Sequence, residues 1–348
     1  MNKKNLYKII SVIFILAVLI GMLVYMAFKD GLDNIALILK TADYRWTALG
    51  LLLMFAEIAA DSVVLAIPLK KSGYKIGFFE ILKSDYLGRF FNYITPFNSG
   101  GQPIQAYFLS KKGALVSGTL SILFIKYIVY QVALLSLGII LFIFNYNYFW
   151  EVYGGYVGLI IAGLLVNLIV TFIIIFTGKH PEIVSRLIVS LINLFSKIHI
   201  GKRYLIGKPE KINSKVTTGV SNYGKQFKDT SCSFFTLFKM YLVSLLQIFF
   251  YLTITYAIYR ALGNSSASFF NILTVQIFLF MLIAYIPTPG ASLGAEGAFV
   301  LFFLNIFGPT TNMANLFWRF FSFYIPFIVG GIVVLTSGSM DKAHFKSE

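Results

Sequence analysis

The stretch "TPFNSGG" at residues 95–101 interrupts an otherwise apolar part of the chain. Its Thr-Pro pair is followed by an asparagine, a serine and two glycines, a composition that ends a helix and exposes backbone. A second stretch, "TPGASLG" at residues 288–294, repeats the pattern Thr-Pro-x-x-Ser-x-Gly 193 residues later. The sequence therefore predicts two backbone breaks of the same kind.

The apolar sequence around these breaks indicates the class of protein. Of the 348 residues, 58% are hydrophobic and 12% are charged, which is more apolar surface than a soluble domain can bury. Several windows exceed ~18 apolar residues, the length a helix needs to cross a bilayer core, and they lack the alternation of a β-barrel. We predict an all-α polytopic membrane protein, one membrane domain over 1–348, with about six to eight spanning helices.

The apolar runs predict the positions of the helices. In the first half, 1–178, these are 8–28, 46–68, 76–95, 114–145 and 154–178; in the second half, 234–336, they are 234–260, 268–287, 294–308 and 313–336. Residues 182–199 have apolar residues at helical spacing and are interpreted as an amphipathic interfacial helix, although packing as a cytosolic helix stays open. This helix and a predicted basic loop at 200–230 together form the segment 182–230 between the two halves. Residues 337–348 are a short polar tail.

Basic residues predict the orientation. Most Lys and Arg lie in the segments 69–76, 110–113, 179–230 and 337–348, so we expect these segments and both termini on the cytoplasmic side of the cell membrane. The first hairpin, about 77–110, then enters from the cytoplasm and the second, about 268–308, from outside. Similar motifs of opposite topology are typical of inverted-repeat transporters. Whether each hairpin is re-entrant or crosses fully as a broken helix stays open.

The two breaks predict a site for a lipid headgroup. Irregular backbone at membrane depth persists only where protein covers it or water fills a cavity, and free N–H groups at half-helix ends can bind a phosphate. The alternative is a pair of kinked helices with glycine packing. The residues predicted to form the headgroup site are Arg89, Asn92, Thr95, Pro96, Asn98, Ser99, Gly101, Gln102, Thr288, Pro289, Ser292, Gly294 and Glu296.

Charged residues inside the apolar spans are a second group of candidates. Glu57 and Asp61 are four residues apart and share one helix face, whereas Lys126 and Arg319 lie in later spans. Charges at this depth are costly unless they are paired or hydrated, which favours a functional role. The alternative is a set of ion pairs that only hold helices together. Lys83 and Asp85 are expected at the membrane interface.

The motifs do not favour an enzyme. "GASLG" at 290–294 matches the Gly-x-Ser-x-Gly of serine hydrolases, but it follows prolines in an apolar helix and no histidine lies in a predicted span. The single cysteine excludes an internal disulfide, and we expect no catalytic residue, metal or cofactor. Because the basic residues behind the net charge of +15 lie between spans, anionic phospholipids rather than nucleic acid are the expected partners.

The segments "NYITPFNSGGQPIQAYFLSKKG" (92–113) and "IPTPGASLGAEGAFVLFF" (286–303) resemble the two signature regions of the lysylphosphatidylglycerol synthase transmembrane family. The resemblance implies a flippase-like protein that moves aminoacylated phosphatidylglycerol to the outer leaflet, where the added positive charge repels cationic antimicrobial peptides. Some members, such as the multiple peptide resistance factor, also carry a C-terminal synthase domain, which we expect to be absent here. Gln102 stands where the family often has Glu, so specificity for a lysyl lipid stays open.

The leading hypothesis is therefore a lipid translocase in which Arg89 attracts the phosphate, and Glu57, Asp61 and Glu296 attract a cationic headgroup. One alternative is an enzyme of the phosphatidylglycerol lysyltransferase type, which would alter the lipid chemically. Another is a non-transporting partner that recruits a separate lipid synthase through the basic loop 200–230 and the helix 182–199. The lipid, the energy source, the direction of movement and homo-oligomer formation stay open.

Overall fold

The computed structural model describes residues 40–95, 98–183, 185–187, 189–190, 209–231, 233–283, 286, 288–291 and 294–337. These residues are mostly helical and contain no strand, which confirms the predicted all-α class. The predicted helix at 8–28, most of the predicted amphipathic helix at 182–199 and nearly all of the polar tail lie outside the described residues.

Two sets of helices flank a polar connection. The first set is α1 (Tyr44–Lys71), α2 (Phe78–Ile94), α3 (Gly101–Ser110), α4 (Val116–Phe144), α5 (Tyr146–Tyr153) and α6 (Val157–Lys179). The connection contains α7 (Pro209–Ser231). The second set is α8 (Phe234–Ala261), α9 (Phe269–Ile283), α10 (Gly294–Phe307), α11 (Thr311–Arg319) and α12 (Ile325–Thr336).

The described part of the chain contains five helical segments that are long and apolar enough to cross a membrane. They are Tyr44–Lys71, Val116–Phe144, Ile161–Lys179, Phe234–Ala261 and Gly294–Thr336. The last segment joins α10, α11 and α12 through a 3₁₀ turn and a π-helical turn at Phe320–Tyr324. The chain is therefore a polytopic membrane protein, and four of these segments match the spans predicted at 46–68, 114–145, 154–178 and 234–260.

The π-helical turn divides the helix that is predicted at 313–336, and it follows from one proline. Pro326 has no N–H to donate to the carbonyl of Ser322 four residues earlier. The hydroxyl of Tyr93 in α2 donates to that carbonyl instead, over 2.9 Å. The break in the last helix is thus stabilised by a side chain from the first half.

The two sets repeat the same order of elements with opposite direction. α1 and α8 are both 28 residues long, and each precedes a broken hairpin (α2–α3 or α9–α10) and a long helical segment. The N–H of Asp43, which caps the start of α1, donates to the carbonyl of Ala261 at the end of α8 over 2.9 Å. These helices pack along their length, so equivalent helices run antiparallel, as an inverted repeat requires.

Each broken hairpin packs against the long helical segment of the other half. In the first half, α2 lies so close to α12 that a Cβ on Gly330 would stand 2.7 Å from the Tyr86 carbonyl. In the second half, α9 lies so close to α4 that a Cβ on Gly138 would stand 2.9 Å from Met281 Cε. Glycine permits both approaches, and the two halves are interlocked rather than merely adjacent.

The predicted loop at 200–230 is helical where it is described. Val216, Val220, Tyr223 and Phe227 recur at helical spacing, and this apolar stripe packs α7 against α4 and α6. The Tyr223 ring meets Phe124 of α4 with 5.9 Å between centroids. The sequence prediction of a loop rested on the many lysines of this segment, and it did not take the spacing of the apolar residues into account.

Gly330→Val is expected to separate α2 from α12 and to lower the free energy of unfolding by about 1–3 kcal/mol, the usual effect of overpacking. Equilibrium unfolding in mixed detergent micelles measures this. Gly158→Val in α6 is the matched control, since no described atom lies within 4 Å of its Cβ position. Equal stability of the two variants would contradict the close α2–α12 packing.

Candidate functional site

The first break is closed by side chains from the end of α2. Thr95 Oγ1 accepts a hydrogen bond from the N–H of Gly100 over 2.9 Å and donates to the carbonyl of Phe91 over 2.8 Å. Asn92 Oδ1 accepts from the N–H of Gly101 over 2.6 Å. The first turn of α3 therefore has two of its free N–H groups capped, which a broken helix needs in an apolar environment.

The second break is closed by an arginine from α11. The Arg319 guanidinium donates to the carbonyls of Gly290 and Ala291 over 3.3 and 3.4 Å, and its Nε donates to Glu296 Oε1 over 2.9 Å. The same guanidinium lies over the rings of Trp318 and Phe323. Carbonyls that the break exposes and the carboxylate at the start of α10 are thus held by one cation.

The two breaks share their backbone geometry at positions 193 residues apart. Asn98 and its equivalent Ala291 both have a positive φ, 50° and 53°, which non-glycine residues rarely adopt. Gly101 and Gly294 are the first residues of α3 and α10. At both glycines a Cβ would stand 2.5 Å from a side-chain atom of the preceding segment. The repeated motif thus encodes a repeated structure.

The same spacing of 193 residues relates Lys126 in α4 to Arg319 in α11. Arg319 binds the carbonyls and the carboxylate of the second break. Lys126 Nζ instead lies 2.8 Å from Asp61 Oδ1 and 3.3 Å from Asp85 Oδ1. Equivalent positions therefore carry a cation with a different task in each half.

A buried charge network connects α1, α2 and α4. Arg89 Nη2 lies 2.8 Å from Glu57 Oε1 and 3.4 Å from Asp61 Oδ2, and Lys126 joins Asp61 to Asp85. Arg89 is the most accessible of these five side chains, at 21% exposed, and Asp85 is fully buried at 0%. The network thus contains three carboxylates and two cations.

Asp85, which is expected at the membrane interface, is fully buried within the protein. Its carboxylate accepts hydrogen bonds from Ser62 and Gln105 as well as from Lys126. Burial results because α3 folds back from the break and places Gln105 over Asp85, 2.6 Å away. This packing brings together residues from four helices and is not visible in the apolar pattern of α2.

The other predicted site residues lie at the two breaks. Ser99, Gln102 and Thr288 are described there, and Pro289 is described by its backbone. Pro96 and Ser292 fall outside the described residues. The structure therefore brings the predicted residues to the two breaks, and α2, which carries Arg89 and Asn92, packs against the turn Pro289–Ala291 of the second break.

Sequence reasoning missed Gln105 and Gln247 as members of the network. Gln247 Nε2, in the middle of α8, donates to Glu57 Oε1 over 2.9 Å. The signal that could have revealed Gln247 is a polar amide in the centre of an apolar span. The signal that could have placed Asp85 in the network is its position four residues before Arg89, on the same helix face.

Comparison with known proteins agrees with this architecture. The model of the lysylphosphatidylglycerol synthase transmembrane region matches residues 9–330. The chain belongs to this family. It is also similar to a UPF0104 membrane protein of Pyrococcus horikoshii, with 23% identity over 340 residues that cover 96% of this chain and 97% of the relative. The resemblance seen in the two signature segments thus extends over nearly the whole chain.

Lys126→Met is expected to leave Asp61 and Asp85 buried without their shared ammonium group. Removing one partner of a buried ion pair lowers the free energy of unfolding by about 3–5 kcal/mol. Equilibrium unfolding in mixed micelles again measures the change. Lys83→Met is the control, because Lys83 is 48% exposed and pairs with Glu80 at the surface, and loss of such a pair changes stability by about 1 kcal/mol or less.

Gly101→Ala is expected to displace Asn92 from the start of α3 and to lower the free energy of unfolding by about 1–3 kcal/mol. Gly297→Ala in α10 serves as the control, since no described atom lies within 4 Å of its Cβ position and alanine is the better helix former by about 1 kcal/mol. A Gly101 variant as stable as the Gly297 variant would show that the cap is dispensable.

Proposed function

We propose that this family member is a lipid translocase that moves a phospholipid headgroup between the leaflets of the cell membrane. The supporting observation is the pair of matching helix breaks in antiparallel halves, with a buried charge network beside the first. Broken helices at a repeat interface are where transporters of inverted topology bind their substrates. The acyl chains stay in the bilayer while the headgroup follows the polar residues.

Arg89 is the residue proposed to meet the lipid phosphate. It lies on α2, six residues before Thr95 at the break, and is the most accessible charge of the network. Its guanidinium has five N–H donors, of which Nη2 binds Glu57 and Asp61. A phosphate that reaches the break would thus find a cation that is already oriented by two carboxylates.

The proposed substrate class is an anionic or aminoacylated phosphatidylglycerol. The family name refers to lysylphosphatidylglycerol, and the excess of carboxylates in the network suits an amino group on the headgroup. Delivery of this lipid to the outer leaflet would make the surface more positive and would protect cells from cationic antimicrobial peptides. In this proposal both termini are cytoplasmic, as the basic segments predict.

The test uses vesicles that contain the purified protein and a trace of phosphatidylglycerol or lysylphosphatidylglycerol with a fluorescent acyl chain. The accessibility of the headgroup from outside is followed over time. The protein is expected to accelerate its movement over that in protein-free vesicles. Arg89→Gln is expected to slow this movement about tenfold or more, since a hydrogen bond to a charged group contributes about 1.5–3 kcal/mol.

Arg260→Gln is the matched control, because Arg260 stacks on Trp46 at the end of α8, away from both breaks. It is expected to transport lipid as the unchanged protein does. A rate equal to that of protein-free vesicles would refute the proposal. Recovery of lipid with an altered mass would favour the lipid-modifying enzyme instead.

A further inference from the structure

Glu57 and Gln247 each lie in the middle of a 28-residue helix, as the fourteenth residue of α1 and of α8. They meet where α1 crosses α8, with Gln247 Nε2 donating to Glu57 Oε1 over 2.9 Å. Gln247 is only 5% exposed, and its Oε1 has no hydrogen-bond partner within the described part of the chain. A buried acceptor without a donor costs about 1–3 kcal/mol, which points to a donor that is absent when Glu57 is ionised.

The charges of the network lead to the same ligand. Glu57, Asp61 and Asp85 face only Arg89 and Lys126 among the ion pairs of the described residues. With all five ionised, one negative charge is left without a counter-charge among side chains that are 0–21% exposed. An unpaired charge in such surroundings costs several kcal/mol. A single bound proton would remove it.

We propose that Glu57 is a proton-binding site and that its protonated Oε2 donates to Gln247 Oε1. The carboxylic acid and the amide then face each other through two hydrogen bonds, one in each direction. The bond from Gln247 Nε2 to Glu57 Oε1 is already present, and the proton supplies the other. The proton comes from water and returns to water when Glu57 ionises again, and no other covalent bond is made or broken.

Glu57 suits this role better than the other two carboxylates. Asp85 accepts from Ser62, Gln105 and Lys126, so its two oxygens already have three donors. Asp61 lies 2.8 Å from Lys126 and shares Arg89. Glu57 has one cation and one neutral amide as its partners, and the amide is the group with the unused acceptor.

The remaining titratable groups around Glu57 do not compete for the proton. They are phenols and one paired arginine: Tyr86 and Tyr93 on α2, Tyr130 on α4, Tyr251 on α8, and Arg319 on α11 facing Tyr93 and Tyr251. Phenols are neutral in the physiological range, and Arg319 pairs with Glu296.

Proton binding would change what Arg89 can do. While Glu57 is ionised, Arg89 Nη2 is held by Glu57 at 2.8 Å. Protonation removes that charge and leaves Arg89 with Asp61, so the guanidinium becomes available to a phosphate. By linkage, phosphate binding at Arg89 would favour the proton on Glu57 to the same extent. This coupling rests on the proposed function, whereas the proton site itself does not.

Infrared difference spectra of the protein in nanodiscs, recorded between pH 5 and 9, test the site without any transport. A carboxylic acid C=O band is expected to grow as the pH falls and to be absent in Glu57→Gln, which keeps the size of the side chain. Glu80→Gln, at the surface pair with Lys112, is expected to retain the band. A band that persists in Glu57→Gln overturns the proposal.

Gln247→Leu keeps Glu57 and removes both hydrogen bonds of the pair, the one that Nε2 donates and the one that Oε1 accepts. The carboxylic acid C=O band is expected to move to higher wavenumber, because hydrogen bonds to the acid lower the C=O stretching frequency. This variant decides the question if Glu57→Gln does not fold, because a band at an unchanged wavenumber would refute the pairing. Replacing choline chloride by NaCl at constant pH is expected to leave the spectra unchanged, and a sodium-dependent change would overturn a proton in favour of a metal cation.

Lipid movement in vesicles with and without an imposed pH gradient tests the coupling. The unchanged protein is expected to respond to the gradient about tenfold, as for a coupling free energy of about 1.4 kcal/mol, and Glu57→Gln not at all. If the Glu57 band is present but the rate of lipid movement does not depend on the pH gradient, the coupling is refuted and the proton site stands. A Glu57 band in a protein that moves no lipid refutes the proposed function and keeps the proton site.

Discussion

Backbone polar groups that a helix break releases must find partners within the protein, because lipid offers none. This constraint shapes both halves of the molecule. At the first break, Thr95 and Asn92 cap the start of α3; at the second, Arg319 binds the carbonyls of the turn and the carboxylate of Glu296. A third break, at Pro326, is closed by Tyr93 from the other half. Each break therefore depends on side chains outside the turn itself, and the break at Pro326 depends on the packing of the two halves.

The two halves use the same backbone for different chemistry. Because neutral side chains cap the first break, Lys126 is available for Asp61 and Asp85. Its equivalent, Arg319, is committed to the second break. The charge network of Glu57, Asp61, Asp85, Arg89 and Lys126 accordingly lies in the first half. The second half contributes the neutral amide of Gln247 to it, at the contact between α1 and α8. The buried charges of this inverted repeat therefore lie mostly beside the first break, whereas two identical halves would place equal charges beside both breaks.

Much of this fold follows from local rules, and the rest does not. The spans α1, α4, α6 and α8 are predicted within a few residues, since bilayer thickness sets their length, and the breaks are predicted because proline and glycine act locally. The burial of Asp85 was not, because it depends on α3 folding back from the break. The role of Gln247 was not, because its partner Glu57 lies 190 residues away in sequence and only the antiparallel repeat brings the two together.

The polar residues of α2 lie along one stripe of the helix. Asp85, Arg89, Asn92 and Thr95 follow each other at intervals of four, three and three residues, so they share one face. One end of the stripe is buried under Gln105 and Lys126, and the other caps the break. A change in charge at the network and a change in geometry at the break therefore act on the same rigid helix. Since α2 also packs on α12 and holds Ser322 through Tyr93, its displacement would reach the second half as well.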